Sequence, residues 1–291
     1  MSNSQAQQDK FIINVLKGKE NGYFLEIGSN DPVHINNTWV LEKYLNWEGI
    51  MIEYSNEWIE DYKRIRNKSK HVIMDATLID YKELLRDFPK NIDYLQIDID
   101  AHTGSTIKTL EKLDNEILDT YKFSVITFEH DYYWCVRDNQ YQYTREKSRD
   151  IFKKHGYLNV FEDINDNNPN IVFEDWWVHP ELVDMQYIEQ LIKLNKDNYK
   201  KNELVDLSIN WKDIYYPNDL FKNNIKIGPS ETNTKIIKLD KIYPSDIKLF
   251  FIHNYKDTFT YNLNNNVLDI TRTDEPSGWD QELVAYLFLF N

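Results

Sequence analysis

Gly22-Tyr23-Phe24-Leu25-Glu26-Ile27-Gly28-Ser29-Asn30-Asp31 is an apolar run that carries one carboxylate and closes on a glycine turn. The run reads as a buried strand, and Gly28 marks where it must turn. About twenty residues further on, a second short strand at 50–52 ends on Glu53. A glycine turn after one strand and an acid closing the next is how Rossmann-like folds hold an adenosyl ribose. The glycine admits backbone close to the ligand, and the carboxylate accepts hydrogen bonds from both ribose hydroxyls. Dinucleotide binders use three such glycines to cradle a pyrophosphate, whereas here Ser29, Asn30, Asp31 and Pro32 fill the turn. The pattern points to an adenosyl ligand without phosphates, S-adenosylmethionine, with Glu26, Gly28, Ser29, Asn30, Glu53 and Tyr54 as its contacts. Asp75 and Ala76, at the end of a third strand, would meet the adenine amino group, and Asp98, at the end of the fourth, is a further contact of the cofactor.

Working outward, apolar periodicity predicts a helix over 8–17 with Phe11, Ile12 and Val15 inward. The pairs Val40/Tyr44 and Leu41/Leu45 mark a second helix that ends before Gly49. Asn56 is placed to cap a third, which carries Trp58, Tyr62 and Ile65. A strand at 72–74 runs into Asp75, and Asp80 opens a short helix that Pro89 stops. A strand at 94–99 leads to a helix from Ser105 or Thr106, with Ile107, Leu110, Leu113 and Ile117 on one stripe. A strand at 123–128 then completes five βα repeats. Near-continuous apolar strands of this kind belong to a parallel sheet covered on both faces.

The rhythm then changes. A helix at 144–154 stops at Gly156, and strands at 157–161 and from 171 follow, separated by an Asn/Asp-rich turn at 165–170. A final antiparallel hairpin after five βα units is the class I methyltransferase arrangement. The expected fold is therefore α/β, Rossmann-like and mostly parallel, over residues 1–200. A helix after Pro180 buries Met185, Ile188, Leu191 and Ile192, and a polar segment occupies 194–203. Residues 261–272 alternate around an Asn-rich turn, a β-hairpin pattern, and 247–253 and 283–289 add further strands. They predict a small β-rich domain over 225–291 with no assigned role.

Composition limits the partners. Net charge is -14, and no Lys/Arg concentration exists beyond 63–70, so nucleic acid is a poor partner. No apolar run approaches the ~20 residues of a membrane span. Residues 1–5 lack the basic and apolar regions of a signal peptide, and Cys135 is single, which together predict a cytoplasmic protein. Acidic neighbours disfavour a thiolate nucleophile at Cys135.

Ionisable groups gather at the ends of the fourth and fifth strands. In Ile97-Asp98-Ile99-Asp100-Ala101-His102, strand alternation puts Asp98, Asp100 and His102 on one face. In Thr127-Phe128-Glu129-His130-Asp131, Glu129 and Asp131 alternate with His130. Such a cluster favours a site over a solvated rim. His130 and His102 are the candidate general bases, with Glu129 and Asp100 as carboxylate candidates. Asp98, Asp100 and Glu129 are the candidate ligands for a divalent ion, Mg or Mn. Tyr132, Tyr133 and Trp134, with Trp176 and Trp177, offer aromatic faces to a sugar ring, or else pack the core.

The chain resembles the FkbM-type family of S-adenosylmethionine-dependent O-methyltransferases. The match runs through Ser4-Gln5-x-x-Gln8-Asp9, residues 22–28, Asn37-Thr38, Leu41-Glu42-Lys43 and 47–53. It continues in order through 93–100, 126–130 and 174–178. Pro32 stands where the family commonly has glycine, and Ala101-His102-Thr103 replaces a frequent Gly-x-Glu. The resemblance implies a class I fold, an adenosyl group held by the Gly28 turn and Glu53, and a hydroxyl acceptor on a sugar or polyketide. The reading that follows is methyl transfer to a hydroxyl or phosphoryl oxygen of a sugar, nucleotide-linked or glycan acceptor, in capsule-type polysaccharide biosynthesis. Two alternatives stand beside it. One is a metal-dependent glycosyltransferase using Asp98 and Asp100; the other is a non-catalytic adenosyl- or glycan-binding protein.

Overall fold

A computed structural model describes residues 4–165, 168 and 170–195, together with six strands of the C-terminal part. Residues 196–203 of the expected polar segment lie outside the described residues, as do 166, 167 and 169 of the Asn/Asp-rich turn. The chain divides into two compact units, Asn3–Leu207 and Ser208–Asn291 with Met1–Ser2.

In the larger unit, α1 (Gln8–Val15) precedes β1 (Tyr23–Ile27), α2 (Trp39–Leu45), β2 (Glu48–Glu53), α3 (Ile59–Ile65) and β3 (Lys70–Ile73). Then come α4 (Tyr81–Leu84), β4 (Asn91–Ile97), α5 (Ser105–Glu116), β5 (Lys122–Glu129) and α6 (Asn139–Lys154). The hairpin β6 (Leu158–Asn165) and β7 (Val172–Val178) and the helix α7 (Met185–Asn195) complete the described part. The seven-stranded sheet has the order β3-β2-β1-β4-β5-β7-β6. Strands β1 to β5 are parallel, and β7 inserts antiparallel between β5 and β6. This is the Rossmann-like sheet of class I methyltransferases, with its antiparallel seventh strand.

The apolar runs explain the layering. On one face Leu25, Ile50, Leu95 and Ile126 pack with Ile107, Leu110 and Leu113 of α5 and Phe152 of α6, all buried. Each such side chain contributes about 1.5–3 kcal/mol by leaving water. Phe11 of α1 stacks on Trp176 at 4.6 Å between ring centres. Trp176 and Trp177 are both buried, so they serve packing. Gln8 of α1 donates to Glu174 of β7 at 2.9 Å, which ties the first helix to the last strand of the seven-stranded sheet.

Several boundaries differ from expectation for physical reasons. Helix α3 starts at Ile59 after Trp58, without a side-chain cap, so Asn56 is not the cap. Helix α6 begins five residues early, at Asn139, because Asp138 caps it by accepting from the Gln140 amide at 2.8 Å. Gly156 follows it at φ +80, and the Tyr157 amide reaches back to the Phe152 carbonyl. Strand β4 stops at Ile97, two residues short of the expected end. Asp98 and Asp100 therefore lie in the loop beyond it, where strand alternation no longer fixes their faces.

In the C-terminal unit, β8 (Ile225–Ile227), β9 (Thr234–Lys238) and β10 (Lys248–Ile252) precede β11 (Phe259–Asn264), β12 (Val267–Arg272) and β13 (Gln281–Phe288). They form two three-stranded antiparallel sheets, β10-β13-β8 and β11-β12-β9. The hairpin read at 261–272 is β11 and β12, closed by the pair Asn264 and Val267.

Candidate active site

A cavity of about 910 Å³ opens beside the carboxyl ends of β1, β2 and β4, where open α/β sheets bind their ligands. Gly28 makes it by backbone approach. Its amide donates to the Ile52 carbonyl at 2.9 Å, and the Asp98 amide donates to the Ile27 carbonyl at 2.9 Å. At φ +90, a Cβ on Gly28 would lie 1.7 Å from the Asp98 carbonyl oxygen, so only glycine fits.

Glu53 closes β2 with both carboxylate oxygens fixed by backbone. Oε2 accepts from the Asn30 amide at 2.9 Å and Oε1 from the Ser55 amide at 2.8 Å. Each oxygen keeps a second lone pair, and the side chain lines the cavity. The residue is thus oriented before any ligand arrives.

Glu26 is fully buried at the cavity's inner wall. Its Oε2 accepts from the Thr38 hydroxyl at 2.7 Å, and the Asn36 amide lies at 3.4 Å. Arg66, also buried, donates to Thr38 Oγ1, Asn36 Oδ1, the Pro32 carbonyl and Glu42. That network pins the 29–38 loop. Oε1 of Glu26 has no partner among the described residues. Burial raises the Glu26 carboxyl to about 7, with Arg66, Thr38 and Asn36 pulling against it.

All nine residues read from sequence as adenosyl contacts line this one cavity: Glu26, Gly28, Ser29, Asn30, Glu53, Tyr54, Asp75, Ala76 and Asp98. Asp75 also does the work of a cap. Its Oδ1 accepts from the Thr77 amide and hydroxyl, which hold its carboxyl below the usual range. Sequence reasoning missed Trp58, Met74, Ile99 and Ile35, which line the apolar part, and Gln96, which lines the acidic part. Gln96 was findable, being a polar side chain inside the apolar run Tyr94–Ile97. Ile35 sits at φ +55, a rare conformation for a β-branched residue, and nothing in its local sequence announces this.

The acid–base candidates need correction. His130 is fully buried and does not line the cavity. Its Nδ1 accepts from the Tyr132 amide, and Nε2 lies 3.5 Å from Asp175 and 3.9 Å from Asp163. Arg149 grips Asp175 through two nitrogens, at 2.7 and 2.8 Å, and Arg145 holds Asp163. Burial pushes the Asp175 carboxyl up, but the bonds and charge of Arg149 and His130 win and hold it well below the carboxylate range. His130 belongs to this structural ion network. His102 is exposed, outside the cavity lining, with its ring 6.2 Å from that of Tyr141. It leaves the expected face because Asp100 Oδ1 accepts from the His102 amide, which turns the chain out of the strand.

The metal reading is also revised. Among the described residues, the only acid/His group of three whose ligand atoms lie within 4.8 Å of one another is His130, Asp163 and Asp175, not Asp98, Asp100 and Glu129. Two guanidinium groups already neutralise that trio. Asp98 and Asp100 do line the cavity, whereas Glu129 does not; burial and the nearby Asp98 raise its carboxyl above the usual range.

Two predictions arise here. Asp175→Asn is expected to cost about 1.5–3 kcal/mol in urea unfolding, because Arg149 loses its charge-assisted bonds to the buried Asp175 and keeps only Asp163 and Glu162. The second concerns pH. Between 4.5 and about 7 the folded chain keeps a Glu26 proton that the unfolded chain has lost. Stability therefore falls as pH rises through this window. Glu174, raised by burial to about 8, extends the fall. Urea midpoints at about pH 5 and about pH 8 should differ in that sense, and Glu26→Gln should flatten the difference.

No known family model matches the chain. Protein PFF0380w of Plasmodium falciparum (isolate 3D7) is 31% identical over 160 residues, 50% of this chain. The matched part spans only 5% of that protein's length. Among solved structures, human methyltransferase-like protein 13 in complex with SAH is 13% identical, covering 73% of this chain and 98% of that one, with a TM-score of 0.40. Aeropyrum pernix fibrillarin with natively bound S-adenosyl-L-methionine is 15% identical, covering 60% and 76%, with a TM-score of 0.37. A TehB-like SAM-dependent methyltransferase from Corynebacterium glutamicum is 10% identical, covering 59% and 87%, with a TM-score of 0.38. These are distant likenesses of fold. The FkbM-type resemblance accordingly rests on the motifs quoted above. No described helix is long and apolar enough to cross a membrane.

Proposed function

We propose that the chain is an S-adenosylmethionine-dependent O-methyltransferase of the FkbM type, acting on a hydroxyl of a sugar or glycan-type acceptor in polysaccharide or glycoconjugate biosynthesis. The observation that carries this is the cavity wall itself. Glu53 is held by two amides, Gly28 leaves no room for a Cβ, and Glu26 keeps one buried oxygen without a donor.

Each of these suits one part of the nucleoside. Glu53 would take the ribose diol. Trp58, Met74 and Tyr54 would flank the adenine, with Asp75 at its amino group. Glu26 Oε1 would accept from the α-ammonium, which answers a buried acceptor that otherwise costs about 1–3 kcal/mol. S-adenosylmethionine supplies an electrophilic methyl on its sulfonium. The protein's part is to hold an acceptor oxygen in line and to take its proton. With His130 and His102 outside the cavity, the second task falls to the groups that line it, His34 and the carboxylates of its acidic end. Asp98 and Asp100 are the carboxylates at that end.

The glycosyltransferase alternative gains nothing from this site. It leaves the Gly28 turn and the oriented Glu53 without a role, and among the described residues Asp98 and Asp100 belong to no converging ligand trio. Isothermal titration tests the reading. Binding of S-adenosylmethionine and S-adenosylhomocysteine is expected, and silence from both at millimolar ligand would end it.

A further inference from the structure

The 29–38 loop that Arg66 pins presents His34 and Ile35 to the cavity. Asn36 closes the loop on itself: its Nδ2 donates to the Ser29 carbonyl at 3.0 Å and lies 3.4 Å from Glu26 Oε2. His34 is held through its backbone, whose amide donates to Asp31 Oδ1 at 2.7 Å. Its ring is exposed and makes no hydrogen bond, ion pair or ring contact with a described residue. Both ring nitrogens are therefore open to a ligand. Ile35 beside it is half exposed and strained at φ +55, so burial does not account for its conformation. Strain that a surrounding network holds in place collects at functional sites.

The other proton acceptors on this wall are engaged by the protein. Asp98 Oδ2 accepts from the Gln96 side-chain amide at 3.2 Å, and Asp100 Oδ1 from the His102 and Thr103 amides at 2.8 and 3.4 Å. Asp31 Oδ1 serves the Val33 and His34 amides, and Asp75 Oδ1 the Thr77 amide. Glu53 is fixed by two amides, and Glu26 by the Thr38 hydroxyl. Those six carboxylates hold turns and loops, whereas the His34 ring holds nothing. Imidazole is also the side chain suited to taking and returning a proton near neutral pH. Its place fits the task, because the loop closes on Glu26, which marks the methionine end of the cavity in the reading above.

We propose that His34 faces the transferring methyl and is the general base of the reaction. The proposal rests on the methyltransferase reading and names the residue that completes it. The acceptor oxygen bonds to the methyl carbon as the carbon–sulfur bond breaks, and that bond's electron pair stays on sulfur. The hydroxyl proton passes to an unprotonated ring nitrogen of His34, and from there to water.

The experiment uses the full chain with S-adenosylhomocysteine or sinefungin bound. Sinefungin carries a protonated amine where the methyl would stand, and S-adenosylhomocysteine carries no charge there. A cation about 5–6 Å from an imidazole lowers its titration midpoint by about half a pH unit even at the dielectric of water. The His34 ring signal in NMR, assigned by its absence from His34→Asn, should titrate lower by at least that much in the sinefungin complex. The signal of His102, outside the cavity, should titrate alike in both. By linkage, sinefungin should lose about threefold in affinity relative to S-adenosylhomocysteine as pH falls through that midpoint. Glu26, Asp31, Asp98 and Asp100 share the wall and can move the same ratio, so the readout is the part that His34→Asn removes. Equal His34 midpoints in the two complexes, or a loss that His34→Asn leaves intact, would overturn the assignment and spare the methyltransferase reading. Failure of both nucleosides to bind would remove that reading itself.

Discussion

Replacing Glu53 with alanine is expected to weaken S-adenosylhomocysteine binding by about 10²–10³-fold while the urea midpoint barely moves. Hydrogen bonds to a charged group contribute about 1.5–3 kcal/mol each, and a ribose diol makes two. The carboxylate cannot be replaced by its neighbours, since its amide partners at Asn30 and Ser55 are themselves donors. Its loss leaves those two amides beside an open cavity, where water can satisfy them, so the fold is spared. Titration calorimetry beside a urea curve separates the two effects. A variant that binds the nucleoside as tightly as the parent would remove the basis for placing any adenosyl group here.

Gly28→Ala should do more damage, and of another kind. The new methyl would fall 1.7 Å from the Asp98 carbonyl oxygen and 2.7 Å from Ile99 Cγ2, on a backbone already at φ +90. The first of these is backbone and cannot swing aside. Either β1 and the loop after β4 move apart, breaking the Asp98 amide bond to the Ile27 carbonyl, or the chain abandons its left-handed turn. Both routes cost several kcal/mol in a protein with only about 5–15 kcal/mol to lose. The expected result is a chain that is largely insoluble or melts far below the parent. A soluble Gly28→Ala protein with parental melting and nucleoside affinity would show that the turn is looser than this geometry.

The parts of this site that were readable in the sequence were those fixed by local chemistry. Gly28 announced its turn because no other residue tolerates that φ so readily, and Glu53 stood out as an acid closing an apolar strand. All nine expected contacts share one cavity because strand ends in a parallel sheet converge at one edge. What failed depended on contacts distant in sequence. His130 looked like a base because it follows Glu129, yet its role is set by Asp175 and Arg149, which reach it from β7 and α6. His102 seemed to share a face with Asp98 only while the strand was taken to continue, and the Asp100 turn ends it. Arg66 gave no signal at all. Its buried position follows from four acceptors on the loop and on α2 that meet only in the folded chain.

The bond between Gln8 and Glu174 spans 166 residues, and it has a consequence for how the chain is born. Strand β7 is the slot-filler of the sheet, since β6 has no neighbour until it arrives. A nascent chain leaving the ribosome can assemble β1 to β5 but must hold β6 and one side of α1 open until Glu174 emerges. At about 5–20 residues per second, the wait from Gln8 amounts to roughly ten to thirty seconds. Until then the β5 edge that β7 covers, and the α1 face that Gln8 presents to Glu174, have no partner from this sheet.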